Sequence, residues 1–263
     1  MLNPFQRLTI ITGSEAAEAL KKSRVIIVGL GGVGSWCAEA LVRSGIGNIS
    51  IVDFDTVCVS NINRQVQASS RSVSRMKTGA LEERLKEINP ACNIRSFQEF
   101  FPGEAPDHFE ISGADFVIDA IDILESKLDL METALAAGKK LFSSMGMARK
   151  LDPTLIKTAD IWETRGCPLA RLVRHGLKKR NCTGHFTAVY SPERLPQLEA
   201  AEGSDNQIDT PDSRSTFWYN RKTINGSCVT VTATAGMVLA SLVIRDLYTK
   251  YCGLSPQAGG PGG

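Results

Sequence analysis

The stretch RVIIVGLGGVGSWCAEALVRSGIGNISIVDFDTVCVSNINRQ, residues 24–65, decides how the rest of the chain is read. Residues 24–29 make a continuous apolar run of strand length. Glycines follow at 29, 31, 32 and 34, then a helical pattern over 34–44 that Gly45 and Gly47 end. Residues 49–53 form a second apolar strand. Strands apolar on both faces, joined through a helix, belong to a parallel sheet covered on both sides.

Gly29, Gly31 and Gly34 satisfy G-x-G-x-x-G between a strand and a helix. The first permits a tight turn, the second lets backbone approach a phosphate, and the third lets helix pack on strand. The free N–H groups of the helix start then face an anion. Gly32 adds a second bare position, and Asp53 ends the next strand, where a carboxylate accepts hydrogen bonds from ribose. The motif indicates a nucleotide without saying which one.

Working outward, helices are expected over 14–22, 74–89 and 126–137, and strands over 94–97, 116–121 and 140–143. In the second helix Met76, Leu81, Leu85 and Ile88 share a side, and Pro90 follows its end. The alternation predicts an α/β fold: one doubly wound, mostly parallel Rossmann-like sheet with helices on both faces, spanning 1–252. The uncharged run 225–244 is long enough to raise the question of a membrane. Its polar residues and the alternation of Val229, Val231 and Ala233 favour a buried strand followed by a buried helix, with no membrane contact.

Net charge is +2, but it is unevenly placed. A basic insert over about 163–192 carries Arg165, Arg171, Arg174, Lys178, Lys179 and Arg180 with no acid from 164 to 192. An acidic loop over about 197–213 carries Glu199, Glu202, Asp205, Asp209 and Asp212 without a base. The Gly/Pro-rich tail 253–263 is expected to be disordered. Seven cysteines form no CxxC pair, and no signal pattern opens the chain, so reduced thiols in the cytoplasm are expected. With three dispersed histidines, no metal cluster is legible in the sequence.

After Asp53 come Asp55, Asn61, Asn63, Arg64 and Gln65, then Lys77 near the start of the next helix. Arginine and lysine grouped around such a turn suit a triphosphate, whose charge must be neutralised before attack. Asp122, in VIDAID, sits where a carboxylate holds Mg2+ on phosphates. A nicotinamide enzyme needs a second nucleoside site, and none is legible.

VGLGGVGS, DFDTVCVSNINRQ, VIDAID and FQRLTIITG resemble the adenylating enzymes related to ubiquitin-activating enzyme, over roughly residues 5–150. The resemblance implies that Gly32 and Asp53 contact ATP. Asn63, Arg64, Gln65 and Lys77 would meet its phosphates, with Asp122 on metal or phosphate. Arg7 matches an arginine lent across a homodimer interface. Arg7, Arg64, Lys77 and Asp122 are then the catalytic set. Ser74 departs from the pattern, which has glycine there.

SSMGMARKLDPTLIKTADIWETRGCPLARLVRHGLKKRN and VYSPE resemble the tRNA threonylcarbamoyladenosine dehydratase branch, and the CxxC zinc site usual in sulfur-carrier enzymes is missing. This implies ATP-dependent loss of water from the modified adenosine through a carboxyl adenylate, with a sulfur-transfer protein as a possible further partner. A helix over 169–180 would bury Leu169, Leu172, Val173 and Leu177. Arg171, Arg174, Lys178, Lys179 and Arg180 would then be offered to tRNA phosphates. Two alternatives stay open: activation of a sulfur carrier's C-terminal Gly-Gly, and an NAD-binding protein. Thioester chemistry would use Cys167 or Cys182.

Overall fold

The structure is a computed structural model that describes residues 3–102, 106–195 and 226–253. The acidic stretch 197–213 and the tail beyond 253 lie outside the described residues. Seven strands form one sheet: β1 (Arg24–Val28), β2 (Asn48–Val52), β3 (Asn93–Phe97), β4 (Phe116–Asp119), β5 (Lys140–Ser144), β6 (Lys157–Asp160) and β7 (Thr187–Tyr190), in the order β3-β2-β1-β4-β5-β7-β6. All pairings are parallel except β6 with β7, an antiparallel edge.

Strand order reverses direction between β1 and β4. In an open α/β sheet the crevice beyond the carboxyl ends of such neighbours is the ligand position. The glycine turn leaves β1 there, and the VIDAID loop leaves β4 beside it.

The described helices are α1 (Gln6–Lys22), α2 (Gly34–Arg43), α3 (Lys77–Ile88), α4 (Leu124–Ala136), α5 (Pro168–Lys179) and α6 (Val229–Cys252). One core packs α2, α3 and α6 on the sheet face bearing Val25, Ile27, Ile49, Ile51 and Ile118. A second packs α4 and α5 on the face bearing Ile26, Val28, Val52 and Val117. Alternate strand residues therefore feed opposite cores, which is why β1 is apolar from Val25 to Val28.

Three expectations change. The N-terminal helix begins at Gln6 and bends at Gly13, where φ is 78°. The helix expected from 74 begins at Lys77, because Ser74 has φ 69° and cannot continue it. Residues 229–234 are helix rather than strand. In α6 the buried positions Val231, Thr232, Ala235, Gly236, Leu239, Ala240 and Val243 follow helical spacing.

Alternating β-branched residues imitate a strand, but tertiary packing overrides that preference. A Cβ at Gly236 would stand 2.5 Å from the Val33 carbonyl, so only glycine lets α6 cross α2 this closely. α6 is long and apolar enough to cross a membrane, yet it packs here against α1 and α2 as a core helix.

Candidate active site

The glycines of the turn meet three different steric demands. Gly29 has φ 92°, and a Cβ there would lie 2.7 Å from the Ala120 carbonyl. At Gly34 it would lie 1.8 Å from the Gly29 carbonyl, so no side chain fits between strand and helix. At Gly31 it would meet nothing within 4 Å, leaving backbone open to the crevice. Gly32 faces the head of α6, where a Cβ would come within 3.0 Å of Thr232 Oγ1. The first residue before α2, Val33, supplies no side-chain cap, so the opening N–H groups of that helix are not satisfied by one.

Two residues fasten the Leu30 peptide behind this turn. Asp53 Oδ2 accepts the Leu30 N–H at 2.7 Å, and Gln67 Nε2 donates to the Leu30 carbonyl at 2.9 Å. Asp53 Oδ1 also accepts the Asp55 N–H at 2.9 Å. Gln65 is buried beside Gln67 and accepts from its amide at 3.3 Å. Asn61 is likewise buried, its Oδ1 holding the Cys58 N–H at 3.1 Å. Gln65 and Asn61, expected at the nucleotide, thus each use a side-chain oxygen to shape the loop beside it.

Lys77 reaches the crevice because two short segments run antiparallel. Ser74 N–H donates to the Val57 carbonyl and Val57 N–H to the Arg75 carbonyl, Thr56 bridges Met76, and Lys77 N–H donates to the Asp55 carbonyl. Its Nζ lies 2.7 Å from Asp55 Oδ2 and 3.8 Å from Asp53 Oδ1, nearly out of solvent. Asp55 Oδ1 is buried without a hydrogen-bond partner. Burial holds the Asp55 carboxyl above its ordinary range, opposed by the Lys77 charge and reinforced by Asp53 and Asp122. Two carboxylates thus bear on one ammonium, and Asp122 stands close enough to act on Asp55.

Arg64 lies against the turn, its guanidinium donating to the Ser60 carbonyl at 2.8 Å and to Asn63 Oδ1 at 2.9 Å. Trp36 Nε1 fixes the Arg64 carbonyl at 2.9 Å. Asn63 Nδ2 donates to the Ser227 carbonyl at 3.0 Å, joining this loop to the head of α6. Asp122 is exposed just beyond β4. Arg7 is exposed in the first turn of α1, and among the described residues it makes no hydrogen bond or ion pair.

The basic helix differs from expectation in two ways. Ala170, Val173 and Leu177 are buried, whereas Leu172 is 47% exposed and Leu169 only partly covered. More importantly, its charges are not all free. Arg180, which caps α5, pairs with Glu125 and Asp129 at 2.6 Å and Glu132 at 2.7 Å, all on α4. Arg174 donates to the Thr164 carbonyl at 3.0 Å and to its hydroxyl. Lys178 stands 5.9 Å from the Trp162 ring centroid, and Arg171 and Lys179 are exposed.

Cys167 is buried as the residue preceding α5, a packing position, and Cys182 is half-buried. The cysteine beside the crevice is Cys228, which the sequence reading passed over. Bonds from Thr230, with a lesser one from the Val231 N–H, lower its thiol below the ordinary range at the head of α6. Gln67, Trp36, Asp119 and Lys127 were also missed; spacing to the glycine motif gives no signal for them.

A model of the ThiF family matches residues 5–258. The chain belongs to that family. It is 35% identical over 247 residues to the tRNA threonylcarbamoyladenosine dehydratase of Bacillus subtilis, covering 94% of this chain and 95% of that one. It is 34% identical over 243 residues to the Haemophilus influenzae protein of the same name, covering 90% of each. The crystal structure of Escherichia coli tRNA N6-threonylcarbamoyladenosine dehydratase in complex with ATP superposes with a TM-score of 0.80 at 30% identity, over 95% of both chains. The doubly wound expectation agrees with this ThiF-family architecture.

Proposed function

We propose that this chain is an ATP-dependent dehydratase of threonylcarbamoyladenosine in tRNA, closing the modified side chain into a ring through a carboxyl adenylate. The observation that carries this reading is the meeting of the glycine turn, Lys77 and Asp53, Asp55 and Asp122 at one switch point. It occurs in a chain similar along nine-tenths or more of its length to proteins so named.

A free carboxylate resists nucleophiles because its oxygen leaves badly. Attack of that carboxylate on the α-phosphorus of ATP expels pyrophosphate and turns the oxygen into part of a good leaving group. The carbamoyl group of the same substrate then attacks the activated carbonyl, releasing AMP and closing the ring. The nucleoside loses the elements of one water, its oxygen leaving on AMP and its proton coming from the attacking carbamoyl group. Because the second nucleophile is tethered to the first, no enzyme thiol is needed.

Lys77 and Arg64 stabilise charge growing on the phosphates, and Asp53 orients the ribose while holding the turn through Leu30. Mg2+ fits the donor set. Asp55 Oδ1 is an orphaned buried oxygen, and Asp53 and Asp122 lie near enough to act on the same carboxyl. Asp122 and Asp55 would hold the ion, which supplies charge neutralisation for the polyphosphate. Arg171, Lys178 and Lys179 remain to meet tRNA phosphates. A tRNA substrate supports a cytoplasmic enzyme.

Ile10 and Ile11 are 77% and 74% exposed, one turn from Arg7. A second copy covering that face would bury both and deliver Arg7 to its neighbour's crevice. Mixing Arg7→Ala with Lys77→Ala should then restore activity in hybrid dimers.

The deciding experiment incubates enzyme and ATP with tRNA carrying threonylcarbamoyladenosine. The expected result is loss of about 18 mass units from the nucleoside, the mass of one water, with AMP as the nucleotide product. ADP instead of AMP would refute adenylation. Cys167→Ala and Cys228→Ala should both retain activity.

A further inference from the structure

Asp122 is the exposed carboxylate of VIDAID, but the other one, Asp119, has no solvent contact at all. Neither does Lys127 in the first turn of α4. The two form an ion pair, Nζ to Oδ2, at 2.6 Å. Asp119 also accepts the Ser143 hydroxyl at 2.5 Å from the adjacent strand β5.

What this pair holds is the peptide immediately before Asp122. Asp119 Oδ1 accepts the Ile121 N–H at 3.0 Å, while Lys127 Nζ donates to the Ile121 carbonyl at 2.9 Å. One residue earlier, the Ala120 carbonyl lies against Gly29, leaving no room for a side chain between them. The loop is thus gripped from below by two charges and pressed from the side against the phosphate turn.

A fully buried ion pair is poor evidence of a contribution to stability, because well-packed apolar residues of similar volume often do as well or better. Its specific effect here is positional. An apolar pair could fill the same volume, but it could not hold both polar atoms of the Ile121 residue. Buried backbone groups need partners, and these two find theirs in the ion pair.

We propose that Lys127, with Asp119, is a positioning residue that sets where the Asp122 carboxylate stands relative to the phosphate turn. The inference rests on the reading of Asp122 as the residue that holds Mg2+ on the polyphosphate. Lys127 touches neither nucleotide nor metal and acts through the Ile121 peptide.

The test uses the full chain and reads binding rather than turnover. ATP affinity is titrated against Mg2+ concentration by calorimetry, with AMP as the metal-independent control, and exchange of the Ile121 amide is followed in the same samples. Lys127→Met strands the Asp119 carboxylate, so it is paired with Lys127→Met/Asp119→Asn, which leaves no buried charge unmatched. In the double variant the Mg2+ midpoint for ATP binding should rise about 10-fold, with AMP affinity within about 2-fold of the parent. Exchange at Ile121 should quicken at least as much. Asp122→Asn should give a similar midpoint, and adding it to the double variant should shift the midpoint little further, since coupled sites are not additive.

A lower melting temperature with an unmoved midpoint would reduce the pair to a structural role and overturn the inference. So would full additivity with Asp122→Asn. If Asp122→Asn alone leaves the midpoint in place, the metal reading of Asp122 falls first and the positioning reading with it.

Discussion

At the carboxyl ends of β2 and β4 two carboxyl side chains are buried and tied to backbone, Asp53 on Leu30 and Asp119 on Ile121. Along α5 the charged side chains stand in solvent or are matched from the neighbouring helix, as with Arg180 on α4. The difference separates two uses of charge. In the crevice it fixes geometry that water would blur, so desolvation is accepted. On the helix the tRNA contact proposed above would use solvent-facing bases, where burial would only weaken the encounter.

The comparison can be broken most decisively in the crevice. Arg64→Ala should lower kcat/KM for ATP about 100- to 1000-fold, the loss expected when one preorganised donor to developing charge is removed. Steady-state kinetics with tRNA in excess measure it. A loss below tenfold would mean that charge in the crevice is not organised as described.

On the helix, Arg180→Met should act on stability, lowering it by about 1–3 kcal/mol because three carboxylates lose their common partner. Calorimetric melting checks this, while tRNA affinity of the folded protein stays near the parent. Arg171→Ala/Lys179→Ala should do the reverse. Melting is unchanged, and the log–log salt dependence of tRNA binding flattens by about one to two units. If both variants lost tRNA binding alike, the division of α5 into fastening and binding charges would be wrong.

The smallest effect sharpens the edge of the crevice. Ser74→Gly should stabilise the protein by about 1 kcal/mol, since φ 69° costs serine what glycine adopts freely. The melting temperature would rise by about 2–4 °C. Destabilisation would show that the serine side chain contributes more than its backbone costs.

These particulars also explain what could be read from sequence. The glycine turn and the convergence of Asp53 and Lys77 beside it were legible because spacing to a strand and a helix start sets their positions. Ser74 was noticed as a departure, and its positive φ shows why glycine is the expected residue. The state of Arg180 was hidden because its partners lie 48 to 55 positions away on another helix. α6 was misread because threonine and valine alternate where only contact with α2 selects the helix. Lys127 gave no signal, since lysine in a first helical turn is ordinarily a solvent residue and only the fold places Asp119 beneath it.

Helix α4 carries Lys127 on one side and the three carboxylates for Arg180 on another. Thirteen residues make it a stiff rod about 20 Å long. Whatever tugs on α5 therefore pulls on the same spar that braces the loop before Asp122. If α5 meets tRNA and the Asp122 loop meets the polyphosphate as proposed, the two contacts are braced on one beam.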